Sequence, residues 1–254
     1  MGEPPENIIP WTWPFADGDD GGGPRSPDWL GGRGSRRSDM PVIVFASLEE
    51  GSGKTMLAAH LAVQAELQGA GPAVAIDTEV SGSLGRWWKT RGDERPAFAL
   101  SFASRFGEDL NRFQELGMKF CTVDTARAAS EQVERIIERA DFVVVPVRPE
   151  LSSMRLARET LDLVDSSRTD AVFLVTAAEP AGQETVKRER VAKLALSNLP
   201  REGLAPVTIH RNKAFADAMK AGRTVMETDP DGQPAAEIGQ LWDHIVECTR
   251  LHAE

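Results

Sequence analysis

The sequence predicts one α/β domain on a doubly wound, mainly parallel β-sheet, preceded by a flexible tail. Three observations carry this reading. Short continuous apolar runs such as "VIVFA" and "DFVVVPV" recur along the chain, as in strands buried on both faces. Between them lie stretches with apolar residues at helical spacing, so that strands and helices alternate. The first run leads through a glycine loop, Gly51-Ser52-Gly53, into the first helical stretch. That strand–turn–helix order exposes backbone amides at a helix N-terminus.

Residues 1–40 are dense in Gly and Pro and follow neither period. They offer too little apolar surface to offset the entropy of ordering, so this tail is expected to be disordered on its own. It nevertheless carries "IIPWTWPF", with Ile8, Ile9, Trp11, Trp13 and Phe15, and a second apolar spot at Trp29-Leu30. Three of the six tryptophans lie here, which marks either a motif that binds a partner or a segment that folds back over its own domain. The domain proper is expected over residues 41–254. Strands are read at 42–46, 73–77, 98–103, 119–124, 141–147, 171–177 and 206–209. Helices are read at 54–69, 108–117, 129–140, 153–167, 184–198, 214–221 and 235–252. Gly69 stops the first helix, and an acid, Asp124, ends the fourth strand.

Composition excludes several classes. With 254 residues and 41% hydrophobic content the chain can build one full-sized core. Its net charge of -10 disfavours general coating of nucleic acid or anionic membrane, while leaving room for a local basic patch. Cys121 and Cys248 have no metal spacing and read as small buried hydrophobes, which fits a reducing cytoplasm. His60, His210, His244 and His252 are scattered and predict no metal site. No apolar run approaches the ~18 residues of a membrane span.

The chemistry concentrates in "ASLEEGSGKT", residues 46–55. Gly51 and Gly53 let backbone amides turn inward, Lys54 can reach phosphates, and the Thr55 hydroxyl can ligate Mg²⁺. In the common pattern G-x-x-x-x-G-K-[ST] the first glycine would fall at Leu48, so the common version is absent. A gapless alternative is K-G-G-x-G-K-[ST], and the chain resembles the ParA/MinD family of partition ATPases that carries it. Residues 76–98, "IDTEVSGSLGRWWKTRGDERPAF", resemble that family's switch segment, D-x-D-P-Q-G-S. "VDTARAAS" resembles its D-T-P-P Walker B segment, and "ADFVVVPVRPELSSMR" the strand and loop that follow. Residues 210–230 resemble its late helix and nucleotide-base loop. Four motifs in family order cover about residues 41–250.

The resemblance implies ATP held by Gly51, Ser52, Gly53, Lys54 and Thr55, with Mg²⁺ near Thr55, Asp77 and Asp124. It also implies catalytic roles for Lys54 and for Glu79, at the water-positioning acid. The departures fall at the sensing and hydrolysing positions. Glu49 stands where the family has a lysine that crosses to the partner subunit's phosphates, and Glu50 replaces a glycine. A side chain there is expected to hinder backbone approach. Glu79 is one methylene longer than the family's aspartate, and a displacement of about 1 Å can cost ~10²-fold in rate. Val80-Ser81 and Ala126-Arg127 replace Pro-Gln and Pro-Pro. Three readings of Glu49 are open: the mark of a lost ATP-driven dimer cycle, a solvent-facing side chain whose role another cation takes, or a pair with a cation of a neighbouring subunit, such as Arg127 or Arg148.

Elsewhere, Arg211, Lys213, Lys220 and Arg223 form one modest basic cluster, and Lys187, Arg188 and Arg190 another, both diluted by acids. A solvated face and a DNA patch compete for them. Ile238, Leu241, Trp242, Ile245 and Leu251 give the last helix an apolar face for core packing. Trp87-Trp88 read as a core anchor or a partner contact. Two function classes follow from the resemblance. One is a cytoplasmic, homodimeric positioning or assembly factor with weak or lost hydrolysis. It would recruit a protein complex through the tail or the dimer face, in partition, polar clustering or polysaccharide secretion such as cellulose synthesis. The alternative is an active partition ATPase that cycles on DNA non-specifically.

Overall fold

Alternation within each apolar run divides its side chains between two cores. In the first strand, Ile43 and Phe45 enter one buried cluster, and Val42 and Val44 the other. The same division holds at Val144 against Val143 and Val145, and at Leu174 against Phe173 and Val175. A strand buried on both faces needs helices on both sides, and the continuous apolar runs therefore specify a three-layer sandwich.

The computed structural model describes residues 40–79, 82–127, 131–167, 169–178 and 203–251. Its elements run β1 Val42–Phe45, α1 Lys54–Leu67, β2 Ala73–Asp77, α2 Ser83–Arg91, β3 Ala97–Leu100, α3 Phe106–Glu115, β4 Phe120–Asp124, α4 Glu131–Ile137, β5 Phe142–Val147, α5 Leu151–Ser167, β6 Ala171–Ala178, β7 Gly203–His210, α6 Lys213–Lys220, α7 Val225–Thr228 and α8 Gln233–Leu251. The seven strands pair in the order β3-β2-β4-β1-β5-β6-β7, every neighbouring pair parallel. The expected parallel α/β fold is therefore present. The tail, including Ile8, Ile9, Trp11, Trp13 and Phe15, lies outside the described residues. So do the expected helix at 184–198, with Lys187, Arg188 and Arg190, and the residues Val80 and Ser81.

Three local expectations need correction. The sequence predicts no helix within residues 76–98, yet α2 fills much of that stretch. Leu84 and Trp87 share its buried face with Arg91, and Gly92 ends it in the left-handed region at φ 62°. β3 ends at Leu100, not 103, because Ser101 turns inward: its N–H donates to the Asp77 carbonyl at 3.1 Å and its Oγ to Asp109 at 2.6 Å. The short α7 is an addition to the expected helices, and Thr224 and Glu227 form a capping box at its start, a spacing visible in sequence.

α1 runs through the centre of one helical layer. Leu57 to Ala65 are all buried, because the sheet covers one side and α2, α7 and α8 pack around the rest. Ile238, Leu241, Trp242 and Ile245 bury α8 as expected. Cys121 is buried and Cys248 half-buried, both as free thiols.

Candidate functional site

The connection order reverses around β1, with β2 and β4 on one side and β5 on the other. In such sheets the crevice beyond the carboxyl ends of the strands is where ligands bind. Here three strands deliver polar groups to that edge. β1 runs into the glycine loop, while Asp77 and Asp124 lie opposite each other in register at the ends of β2 and β4. Phe45 is in turn opposite Asp124.

The rear half of the loop has the geometry that suits an anion. Gly51 and Gly53 take φ values of 70° and 101°, which L side chains rarely adopt. Gly53 caps α1 without a side-chain bond, and no acid occupies the first turn, so the positive end of the helix is uncompensated. The Ser52 backbone is pinned by Thr176, whose Oγ1 donates to its carbonyl at 2.9 Å. Ser52 is 1% exposed, and its buried hydroxyl has no hydrogen-bond partner among the described residues. A buried hydroxyl left unsatisfied beside a helix N-terminus fits a missing polar ligand.

Lys54 folds back over the loop, its Nζ donating to the Ser47 carbonyl at 2.9 Å and the Glu49 carbonyl at 3.3 Å. Burial lowers its pKa, opposed by the charge of Asp124. Thr55 Oγ1 donates to Asp124 Oδ2 at 2.6 Å. Burial, opposed by the Thr55 bond and reinforced by Asp77, pushes the Asp124 carboxyl up to about 7. Burial likewise raises Asp77. Two carboxyls that titrate upward next to a hydroxyl would be relieved by a cation, which favours their ionised forms. Among the described residues no three His, Cys, Asp or Glu side chains gather as a metal site. A magnesium ion here would therefore share Thr55, Asp77 and Asp124 with ligand oxygens and water, its usual habit.

Asp77 already has structural work. Its two oxygens accept the Glu79 N–H at 3.0 Å and the Gly85 N–H at 3.2 Å, so it caps the start of α2. A Cβ on Gly82 would meet Asp77 Oδ2 at 1.9 Å, hence the glycine. Glu79 is exposed, and no hydrogen bond or ion pair holds its carboxylate among the described residues.

The front half of the loop is tied down differently. Glu49 is 5% exposed, which overturns the solvent-facing reading. Its Oε1 accepts from Arg148 Nε at 2.6 Å and from Ser153 Oγ at 2.7 Å, and Arg148 Nη2 stands 2.6 Å from the same oxygen. The pair anticipated with a neighbouring subunit's arginine is thus made within one chain. Leu48 N–H donates to Thr160 Oγ1 at 3.2 Å, so α5 holds two successive loop residues. Glu50 is exposed and pairs with Arg127. It keeps an ordinary backbone, since Ala177 is the one non-glycine residue with positive φ among those described. Replacing glycine with Glu50 therefore brings no backbone strain. Ser153, Thr160 and Thr176 were missed in the sequence, where the signal was only a hydroxyl on a buried face.

The stretch resembling a base loop is joined to α2. Arg91, 9% exposed, meets Glu227 through two bonds of 2.9 and 2.8 Å, and Trp87 Nε1 donates to the Arg223 carbonyl at 3.1 Å. Trp88 stacks on Phe98, so both tryptophans serve the core. In the basic cluster Lys213 pairs with Asp217 and Arg223 with Glu227.

No family model matches the chain. Over 211 residues it is 21% identical to the maintenance of carboxysome distribution protein A of Halothiobacillus neapolitanus, covering 81% of this chain and 96% of that protein. A protein ParA of Rhizobium radiobacter is 28% identical over 126 residues, 49% of this chain and 56% of its own length. Among solved structures, the septum site-determining protein MinD complexed with Mg-ADP from Pyrococcus horikoshii OT3 superposes with a TM-score of 0.65 at 12% identity, over 85% of this chain and 99% of that one.

Proposed function

We infer that this chain, a ParA/MinD-type protein by fold and sequence likeness, is a nucleotide-binding positioning or assembly factor in which hydrolysis is weak or lost. One observation carries the reading. The groups suited to phosphate and magnesium, from Gly51 to Thr55 with Asp77 and Asp124, stand together at one sheet edge, whereas the departures from the family pattern, Glu49 and Glu79, fall on the sensing and hydrolysing side. Relatives named for carboxysome distribution, ParA and septum-site determination support a role in placing a larger body.

In this reading Gly51, Gly53 and the first turn of α1 bind the phosphates through backbone amides, and Lys54 supplies positive charge. Mg²⁺, when bound beside Thr55 and the two aspartates, supplies charge neutralisation at the phosphates. Glu79 is the remaining acid that can order an attacking water, from a longer and unanchored side chain, so turnover is slow. The machine belongs to partition, polar clustering or polysaccharide secretion, and the tail residues Ile8 to Phe15 or a dimer face recruit it in the cytoplasm. No helix among the described residues is long and apolar enough to cross a membrane.

The test measures ATP turnover and chromatographic size with and without Mg-ATP, for wild type and Glu79→Asp, together with retention on DNA at graded salt. Slow turnover, a rise in Glu79→Asp and no ATP-dependent DNA retention support the reading. Fast turnover with salt-sensitive, ATP-dependent retention would instead establish the active DNA-cycling ATPase.

A further inference from the structure

A carboxylate in a loop that takes a polyanion needs a reason to be harmless, and the structure contains one. Glu49 belongs to the same turn that positions Lys54, since Lys54 Nζ rests on the Glu49 carbonyl at 3.3 Å. Its side chain is turned away from solvent and given three donors on one oxygen: Arg148 Nε, Arg148 Nη2 and Ser153 Oγ. The Arg148 N–H also points at Oε2, at 3.5 Å. Arg148 follows directly on β5 and Ser153 lies in the first turn of α5. The counter-charge therefore comes from the fixed scaffold of the same chain.

We propose that Arg148 is a positioning residue of the phosphate loop: it neutralises Glu49 within the chain and ties the front of the loop to the end of β5, so that the loop can accept a polyphosphate without a charge from a second subunit. The proposal rests on the reading that this loop binds nucleotide. Its consequence is that nucleotide affinity does not depend on self-association. A buried ion pair broken on one side leaves an uncompensated charge, which also repels any like charge brought near it. Without Arg148 that like charge is the bound phosphate chain, and the penalty grows with the number of phosphates.

The experiment is a titration with a fluorescent ATP analogue at several protein concentrations, with ATP, ADP and AMP as competitors. It uses the full chain as wild type, Arg148→Ala, Arg148→Lys, Glu49→Gln and the double variant Glu49→Gln/Arg148→Ala. Arg148→Ala is expected to weaken ATP binding on the order of tenfold, ADP less and AMP least. Arg148→Lys keeps the charge and falls in between. The double variant recovers wild-type affinity, because no carboxylate is left to neutralise. Glu49→Gln alone, a near-isosteric change, tightens ATP binding by exposing the phosphates to an unpaired guanidinium. Affinity should be the same at every protein concentration.

An Arg148→Ala loss that Glu49→Gln does not restore, or one equal for ATP and AMP, overturns the proposal and leaves nucleotide binding standing. So does an affinity that rises with protein concentration, which would return the missing charge to a second copy. If Arg148→Ala fails to fold, an unchanged affinity in Glu49→Gln overturns the proposal by itself. No binding by wild type overturns the nucleotide reading and the proposal with it.

Discussion

Two arginine–glutamate pairs of similar length, 2.8 and 2.6 Å, do different things. Arg91 and Glu227 join α2 to α7 in the layer around α1, while Arg148 and Glu49 join the end of β5 to the glycine loop. Glu227 spreads its carboxylate over many donors. One oxygen takes Arg91 and, at 3.3 Å, Arg223, and the other takes Arg91, the Thr224 N–H and the Thr224 hydroxyl. Gly222 presses so closely on this joint that a Cβ there would lie 2.4 Å from Arg91 N. Glu49 instead concentrates its donors on one oxygen. The first pair is a weld between elements of the fold. The second trims the charge of a loop that the fold has already placed. Ion-pair distance alone does not distinguish them, but the network around each acid does.

The sharpest way to break the comparison is Arg91→Ala. It strands a carboxylate in a joint that includes a capping box, and the expected loss is roughly 3–5 kcal/mol in denaturant unfolding. A loss below about 1 kcal/mol would place the weld among ordinary surface pairs. Next in size is Lys54→Ala, which removes a charged donor from the loop. Unfolding should change little, while ATP affinity falls on the order of 10–100-fold. Equal losses in stability and binding would erase the distinction between loop and weld.

The pH response sharpens it further. Burial pulls the His60 pKa down to about 4, where its Nδ1 bonds the Met56 carbonyl and its Nε2 takes the Val225 N–H. A histidine held neutral in the fold contributes stability above its ordinary pKa of 6.5, and this is lost as pH falls from 6.5 towards 4. Asp124, pushed up to about 7 from 3.8, has the opposite sign. Its contribution is complete below 3.8 and is lost as pH rises through 7. The two offset each other across the same window. Asp124→Asn should therefore expose a steeper loss of stability between pH 6.5 and 4, and His60→Asn a shallower one than wild type. Parallel curves for all three proteins would contradict these assignments. Glu227 adds a lower limit: burial works against its charge, but the Arg91 and Thr224 bonds outweigh it and hold the carboxyl at about 2. That share of stability is present above its ordinary pKa of 4.5 and fades as pH falls from there towards 2. The smallest effect is Thr224→Ala, the loss of one helix cap, at about 1 kcal/mol.

The sheet was legible because its strands are apolar on both faces, and a run like "DFVVVPV" has few other uses. The rear of the loop was legible because glycine at 51 and 53 and the Lys-Thr pair have a backbone reason to sit together. α2 was not, since its buried face mixes Leu84 and Trp87 with Arg91, and an arginine reads as surface until its partner 136 residues away is known. The fate of Glu49 was open for the same reason. Arg148 could be named as a cation within reach, but only the fold decides that β5 and α5 deliver it within the chain, together with Ser153. Polar networks join residues distant in sequence, and no local period announces them.

The central claim is that nucleotide binding survives while hydrolysis is weak. It is tested most directly by measuring saturation with Mg-ATP and steady-state ATP turnover on the same purified wild-type sample, with Lys54→Ala alongside. The account predicts saturable binding that Lys54→Ala weakens, and turnover that is slow or absent. Rapid turnover abolished by Lys54→Ala would contradict it by restoring a working ATPase. Absence of binding in both proteins would contradict it from the other side and leave the loop a relic on a scaffold.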